Sequence, residues 1–149
     1  MKWIDIPPVW LLMALGMARL MADLQPYALR YGSPTTDFLG GLLVGGGVVL
    51  ILLAAVALWR HKTTIVPHQQ ASALVTRGVY ARSRNPIYLG DALILAGMTL
   101  RWDVPVALVL VPLFMATVSQ RFILPEEDRL RRQFRLDFAK YCEKTRRWV

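Results

Sequence analysis

Apolar residues occur along this chain in long runs that are separated by short polar segments. The clearest run covers residues 38–59 and contains no charged side chain. At a rise of about 1.5 Å per residue, a helix of this length spans a hydrocarbon core of about 30 Å. The run therefore predicts a transmembrane helix, and its glycines, above all Gly41 and Gly45, predict close packing against another helix.

Three further apolar segments cover residues 8–22, 87–100 and 104–124. The first lacks the usual charged segment and cleavage site of a signal peptide, so we expect a retained helix. The last two are joined by the polar turn 101–103 and predict a helical hairpin, whose first arm is short for a bilayer. Pro112 lies inside the second arm and predicts a kink.

The segment after Pro125 has a different pattern, because its apolar side chains recur at helical spacing and its basic side chains lie off that stripe. The stripe consists of Leu130, Phe134, Phe138 and Tyr141. We expect an amphipathic helix that lies along the membrane surface or caps the bundle.

Positive charge is concentrated in two segments. Residues 60–86 contain five basic and no acidic side chains, and residues 121–149 contain nine basic and five acidic ones, within a net charge of +8. These charges flank apolar runs, so membrane orientation explains them and no nucleic-acid partner is expected. The positive-inside rule places both segments and both termini in the cytoplasm, and the 23–37 loop and the 101–103 turn outside.

The predicted fold class is therefore all-α: an integral membrane bundle of about four helices, including a short C-terminal hairpin, with a cytoplasmic amphipathic C-terminal helix. The 60–86 connection is long, but its apolar residues indicate order against the helices. A single cysteine, Cys142, excludes an internal disulfide. His61 and His68 have no ligand partners in the sequence, so no metal site is expected.

Cationic and anionic side chains meet at the predicted cytoplasmic end of the hairpin. Arg84, Asn85 and Pro86 precede its first helix, and Glu126 and Glu127 follow its second. An asparagine before a proline fits a helix N-cap, and the free N–H groups of such a helix end would face a carboxylate. The glutamates could hold an ammonium or lie near a sulfonium. A zwitterionic ligand fits, although a helix start and a dipole-stabilised acidic turn also explain these residues.

Asp91 lies one turn inside the predicted first arm of the hairpin. An ionisable side chain in a span is a functional candidate. The sequence leaves open whether it lies at the membrane interface or in a pocket.

In order and spacing these residues resemble the isoprenylcysteine carboxyl methyltransferase and phospholipid methyltransferase superfamily of membrane enzymes. The corresponding residues are Leu74, Val75, Gly78, Tyr80, Arg84, Asn85, Pro86, Tyr88, Gly90, Glu126, Glu127, Phe134, Phe138 and Tyr141. The resemblance extends from about Thr64 to the end of the chain. Asn85 stands where many members have histidine, Val79 where proline is common, and Arg135 where glycine is usual.

The resemblance implies S-adenosyl-L-methionine as the methyl donor, bound by a core at residues 60–149 that follows two N-terminal spans at residues 1–59. The residues that it assigns to the cofactor are Val75, Gly78, Tyr80, Arg84, Asn85, Pro86, Tyr88, Gly90, Glu126 and Glu127. For catalysis we single out Glu127, as a base for an amine acceptor, and Arg129, as a cation that places a carboxylate acceptor. Arg121 and Arg132 are further candidate cations.

The apolar surroundings suggest a lipid-like or isoprenoid-tailed acceptor that enters from the bilayer, with membrane lipids as neighbours. Carboxyl, amine and thiol targets remain open, as does the oligomeric state. A non-catalytic membrane scaffold or subunit that keeps the same fold is the competing hypothesis. An ion or solute transporter is disfavoured, because the first, second and fourth helices are nearly devoid of ionisable side chains.

Overall fold

The computed structural model describes residues 6–26, 32–63 and 72–149, and every regular element within them is helical. The α-helices are α1 (Pro7–Leu24), α2 (Pro34–Arg60), α3 (Pro86–Arg101), α4 (Leu110–Val118) and α5 (Leu124–Lys144). Two 3-10 helices, Gly78–Ala81 and Pro105–Val109, and one π-helix, Ser119–Ile123, complete the described elements. The all-α prediction is confirmed, and each predicted apolar segment lies in a helical stretch. The first three have bounds within a few residues of those expected, whereas the last continues through α5.

Three helical stretches in the described residues are long and apolar enough to cross a membrane: Pro7–Leu24, Pro34–Arg60 and Pro105–Lys144. At 16 residues α3 is shorter, as the sequence indicated. Large apolar side chains cover the outer faces of α1 and α2, among them Leu12, Met13, Met17, Leu20, Phe38, Leu42, Val49, Leu52 and Leu53. So large an apolar surface fits lipid and not water.

Glycines bring α2 and α3 into direct backbone contact. A Cβ atom on Gly47 would lie 2.6 Å from the carbonyl oxygen of Gly90, and one on Gly97 would lie 2.5 Å from that of Gly40. Only hydrogen fits at these positions. Close packing by the glycines of α2 is therefore confirmed. Of the two expected positions, a Cβ on Gly41 would lie 3.1 Å from Arg101 Nη1, whereas no described atom lies within 4 Å of a Cβ at Gly45.

The second arm of the hairpin and the tail form one continuous helical stretch. Pro112 lies in the first turn of α4, where proline is tolerated, and the 3-10 helix Pro105–Val109 ends just before that turn. A π-helix lies just before Pro125, whose missing N–H interrupts the regular ladder. A second break is at Arg135, with φ 39° and ψ −107°.

The segments predicted to lie outside the cell meet at one end of the bundle. Gln25 Nε2 donates a hydrogen bond of 2.7 Å to the carbonyl oxygen of Asp103. Arg101 pairs with Asp37 at 3.4 Å. The two segments that the charge pattern placed on the same side therefore lie at the same end of the bundle. Which end faces the cytoplasm stays a prediction.

The described part of the long connection packs on the helices at the opposite end. Val75 and Tyr80 are buried against Ala54 of α2. Order is thus confirmed for residues 72–85, whereas His68 and the rest of residues 64–71 lie outside the described part of the chain.

Candidate functional site

Three segments from separate parts of the chain meet where α3 begins. They are the loop that leads into α3, the start of α5, and residues 145–148 beyond α5. Gly78 starts the 3-10 turn of the loop with φ +64°, a value that favours glycine. The turn buries Tyr80 beside Val75 and leads directly to Arg84. The predicted loop residues Val75, Gly78 and Tyr80 therefore lie in the segment that packs on α2 and leads into Arg84.

Glu127 is the centre of this site, and its side chain forms ion pairs with two arginines. Arg84 Nη2 lies 3.3 Å from Glu127 Oε1. Arg147 binds through two parallel contacts, Nε to Oε1 at 3.0 Å and Nη2 to Oε2 at 2.7 Å. This hydrogen bonding raises the pKa of the Arg147 guanidinium. We call Arg84, Glu127 and Arg147 the arginine–glutamate cluster.

Arg84 and Glu127 are the buried members of this cluster, with side chains that are 14% and 8% exposed. Glu127 as a whole residue is only 6% exposed. Arg84 Nε is buried and has no hydrogen-bond partner among the described residues. A buried donor without a partner costs about 1–3 kcal/mol. The site is therefore suited to an additional acceptor such as a ligand carboxylate.

Glu126 lies next to this cluster among aromatic rings. Burial, and secondarily the Glu126 charge, raise the pKa of the Tyr80 hydroxyl, so this hydroxyl stays protonated. Tyr88 interacts electrostatically with Glu126 and Arg129 and stacks on Phe122 with ring centroids 6.4 Å apart. An acid beside aromatic faces is a favourable place for an ammonium or sulfonium group.

Asn85 and Pro86 begin α3 at the predicted positions, but the asparagine side chain does not cap the helix. Its Nδ2 donates to the carbonyl oxygen of Arg147 at 3.1 Å, and Ser83 Oγ accepts from the Asn85 backbone N–H at 3.2 Å. The expected side-chain cap is therefore wrong, because the Asn85 side-chain amide bonds to the tail and not to the start of α3. Asn85 still acts as a donor within the site.

Gly90 and Asp91 lie deeper in α3. Gly90 faces α2, where a Cβ would lie 2.7 Å from the carbonyl oxygen of Gly47, so helix packing accounts for it. Asp91 is 7% exposed and interacts electrostatically with Tyr88. Its burial places it inside the bundle and not at the membrane interface.

The candidate cations differ in their surroundings. Arg121 lies over the ring of Trp10 at 5.1 Å, and Arg132 is exposed. Arg129 is half-buried and acts electrostatically on Glu126, so it remains a candidate cation beside the acids. An open depression of about 560 Å³ is lined by Ala116, Thr117, Gln120 and Arg121 and includes no member of the arginine–glutamate cluster.

Sequence reasoning missed Arg147, which it treated only as part of a basic end. Its position depends on hydrogen bonds that fix the tail on the loop. These are Tyr141 Oη to Tyr80 O at 2.6 Å, Thr145 Oγ1 to Ala81 O at 3.4 Å, and Arg84 N to Arg146 O at 3.0 Å. The signal in the sequence is weak, since Arg146 and Arg147 are adjacent and only one of them reaches Glu127.

A family model described as phospholipid methyltransferase matches residues 35–137. The match includes α2, the loop, α3 and both glutamates, and it ends before Arg147. No curated protein and no solved structure matches the chain.

Proposed function

The chain belongs to the phospholipid methyltransferase family, and from this membership we propose that it transfers a methyl group from S-adenosylmethionine to a lipid-tailed acceptor. The resemblance found in the sequence is confirmed at the level of the superfamily. The family implies a membrane methyltransferase, and the apolar bundle agrees with it. The identities of the methyl donor and of the lipid-tailed acceptor are our proposal.

The observation that carries the proposal is the contact between Arg84 and Glu127. Arg84 precedes the hairpin and Glu127 follows it, yet their side chains lie 3.3 Å apart. The fold thus collects a carboxylate, a guanidinium with a spare buried donor, and aromatic rings in one place. These groups match the ammonium, carboxylate and sulfonium of S-adenosylmethionine.

When bound, S-adenosylmethionine supplies a methyl group that is already activated by a positively charged sulfur. The protein therefore has to orient the reactants and exclude water. Arg84 would hold a carboxylate, and Glu126 and Glu127 would hold the cationic groups. The stacked rings of Tyr88 and Phe122 form an apolar wall that excludes water near the acids.

The acceptor would approach from the lipid. Apolar side chains of α1 and α2 face outward and offer no polar route from that side. A lipid-like acceptor can carry its reactive headgroup to the membrane-proximal end where Glu126 and Arg129 lie. The family description favours a phospholipid amine, whose proton a glutamate could accept, over an isoprenoid-tailed carboxylate placed by Arg129.

Calorimetry with S-adenosylhomocysteine on the detergent-solubilised full chain tests the cofactor assignment. We expect binding by the native protein and at least tenfold weaker binding by Glu127→Gln, since about 1.4 kcal/mol corresponds to a factor of ten. Asp128→Asn is the matched control, because Asp128 is exposed and pairs only loosely with Arg131 at 3.8 Å. A folded native protein that does not bind would favour the non-catalytic scaffold instead.

A further inference from the structure

Residues 145–148 occupy the place that the proposed function assigns to the cofactor. We propose that this tail segment is a built-in occupant of the site, and that S-adenosylmethionine binds only after Arg147 has left Glu127. The inference rests on the proposed function and adds a regulatory contact to it. Three features of the tail segment carry it.

The first feature is the guanidinium of Arg147. It engages both oxygens of Glu127, at 3.0 and 2.7 Å, as a ligand ammonium would. With Glu127 6% exposed and already paired with Arg84, no further cation reaches this carboxylate while the Arg147 pair is closed. Bidentate arginine–carboxylate contacts are strong and directional. The tail thus competes directly for the acid.

The second feature is the backbone carbonyl of Arg147. It accepts hydrogen bonds from Asn85 Nδ2 at 3.1 Å and from Ser83 Oγ at 3.3 Å. A ligand carboxylate would use the same two donors. Departure of the tail would therefore free donors for the ligand at the same time as it frees Glu127.

The third feature is the ring of Trp148. It packs against the core cluster that contains Tyr88 and Phe122. The tail segment thus presents a cation, a carbonyl acceptor and a planar aromatic ring in succession. S-adenosylmethionine combines the same elements in its ammonium, carboxylate and purine.

Arg147 is the partner that can move. Its side chain is 36% exposed, whereas that of Arg84 is 14% exposed and lies at the root of α3. The hydrogen bonds that hold its carbonyl come from neutral donors, which bind more weakly than charged ones. Glu127 keeps Arg84 as a partner when Arg147 leaves, so opening does not strand a buried charge.

The direct test compares S-adenosylhomocysteine affinity in the native chain, Arg147→Gln and Arg146→Gln. Arg146 is exposed, so its variant controls for the loss of one tail charge. We expect about tenfold tighter binding by Arg147→Gln only. In this variant the pair between residue 147 and Glu127 no longer competes with the ligand for the carboxylate. Unchanged or weaker binding by Arg147→Gln would overturn the inference and leave the cofactor assignment intact. Absence of binding in all three folded proteins would refute the proposed function and this inference with it.

A second measurement uses the native chain and so does not depend on a variant that folds. Trypsin cleavage after Arg146 or Arg147 is followed by mass spectrometry with and without S-adenosylhomocysteine. We expect the ligand to accelerate this cleavage severalfold, because it displaces the tail segment, while cleavage after the exposed Lys62 stays constant. Equal or slower cleavage of the tail would mean that the segment stays in place or closes over the ligand, and either result contradicts displacement.

Discussion

Arg147 and Glu127 form a two-point ion pair, with Nε 3.0 Å from Oε1 and Nη2 2.7 Å from Oε2. The pair joins the tail to the first turn of α5. Arg84, which lies just before α3, pairs with the same carboxylate. One acidic side chain therefore connects three segments of the chain. Its removal affects stability as well as ligand binding.

Glu127→Ala should lower the free energy of unfolding by about 3–5 kcal/mol, because it leaves Arg84 buried without its partner. Asp128→Ala should cost less than about 1 kcal/mol, since its pair with Arg131 is exposed. Denaturant unfolding in detergent micelles measures both. Equal losses for the two variants would show that the buried cluster contributes no more than a surface pair.

Gly97→Ala should destabilise the bundle by at least about 1–3 kcal/mol, because its Cβ would lie 2.5 Å from the carbonyl oxygen of Gly40. Gly45→Ala is the matched control in the same helix pair, and it should be neutral or stabilising, since alanine favours helix and no described atom lies nearby. Thermal unfolding compares the two. A loss for Gly45→Ala as large as that for Gly97→Ala would contradict the interface.

Arg135→Gly should stabilise the protein by about 1–2 kcal/mol, because Arg135 has φ 39° and glycine adopts this conformation without strain. The same position is usually glycine in the family that the sequence resembles. Arg135→Ala removes the same charge but keeps a Cβ, so it should give no such gain. If both variants stabilise equally, charge and not backbone strain is the cause.

Membrane orientation can be tested with single cysteines in a Cys142→Ser background. Thr35→Cys, at the end that contains Asp103, should react with an impermeant reagent applied to intact cells. Arg131→Cys, an exposed position on α5, should react only after lysis. The reverse pattern would invert the predicted topology while leaving the fold unchanged.

Hydropathy was sufficient to predict the helices, because long apolar runs have few alternatives in a membrane. The contact face of α2 was not predictable in the same way. Gly41 and Gly45 fit the local motif, but contact depends on the positions of Gly90 and Gly97 in α3, which are distant in sequence. The local spacing of glycines indicates that a helix packs closely. Which of its faces makes the contact depends on the residues of the partner helix.

The sequence was sufficient to predict those site residues that lie next to the ends of the hairpin helices. Arg84 and Glu127 were expected to meet because a hairpin returns its second helix to the start of its first. Arg147 was not, because long-range hydrogen bonds from Tyr141, Thr145 and the Arg84 backbone hold the tail in place, and no local pattern indicates them.

Transfer of an isotopically labelled methyl group tests the central claim most directly. Purified protein, labelled S-adenosylmethionine and a membrane-lipid extract are incubated, and lipids are analysed by mass spectrometry. Native protein should produce a labelled lipid, Asp128→Asn should match it, and Glu127→Gln should lower the yield at least tenfold. Folded native protein that binds S-adenosylhomocysteine but labels no lipid would contradict a lipid acceptor, and equal labelling by Glu127→Gln would remove the cluster from the reaction.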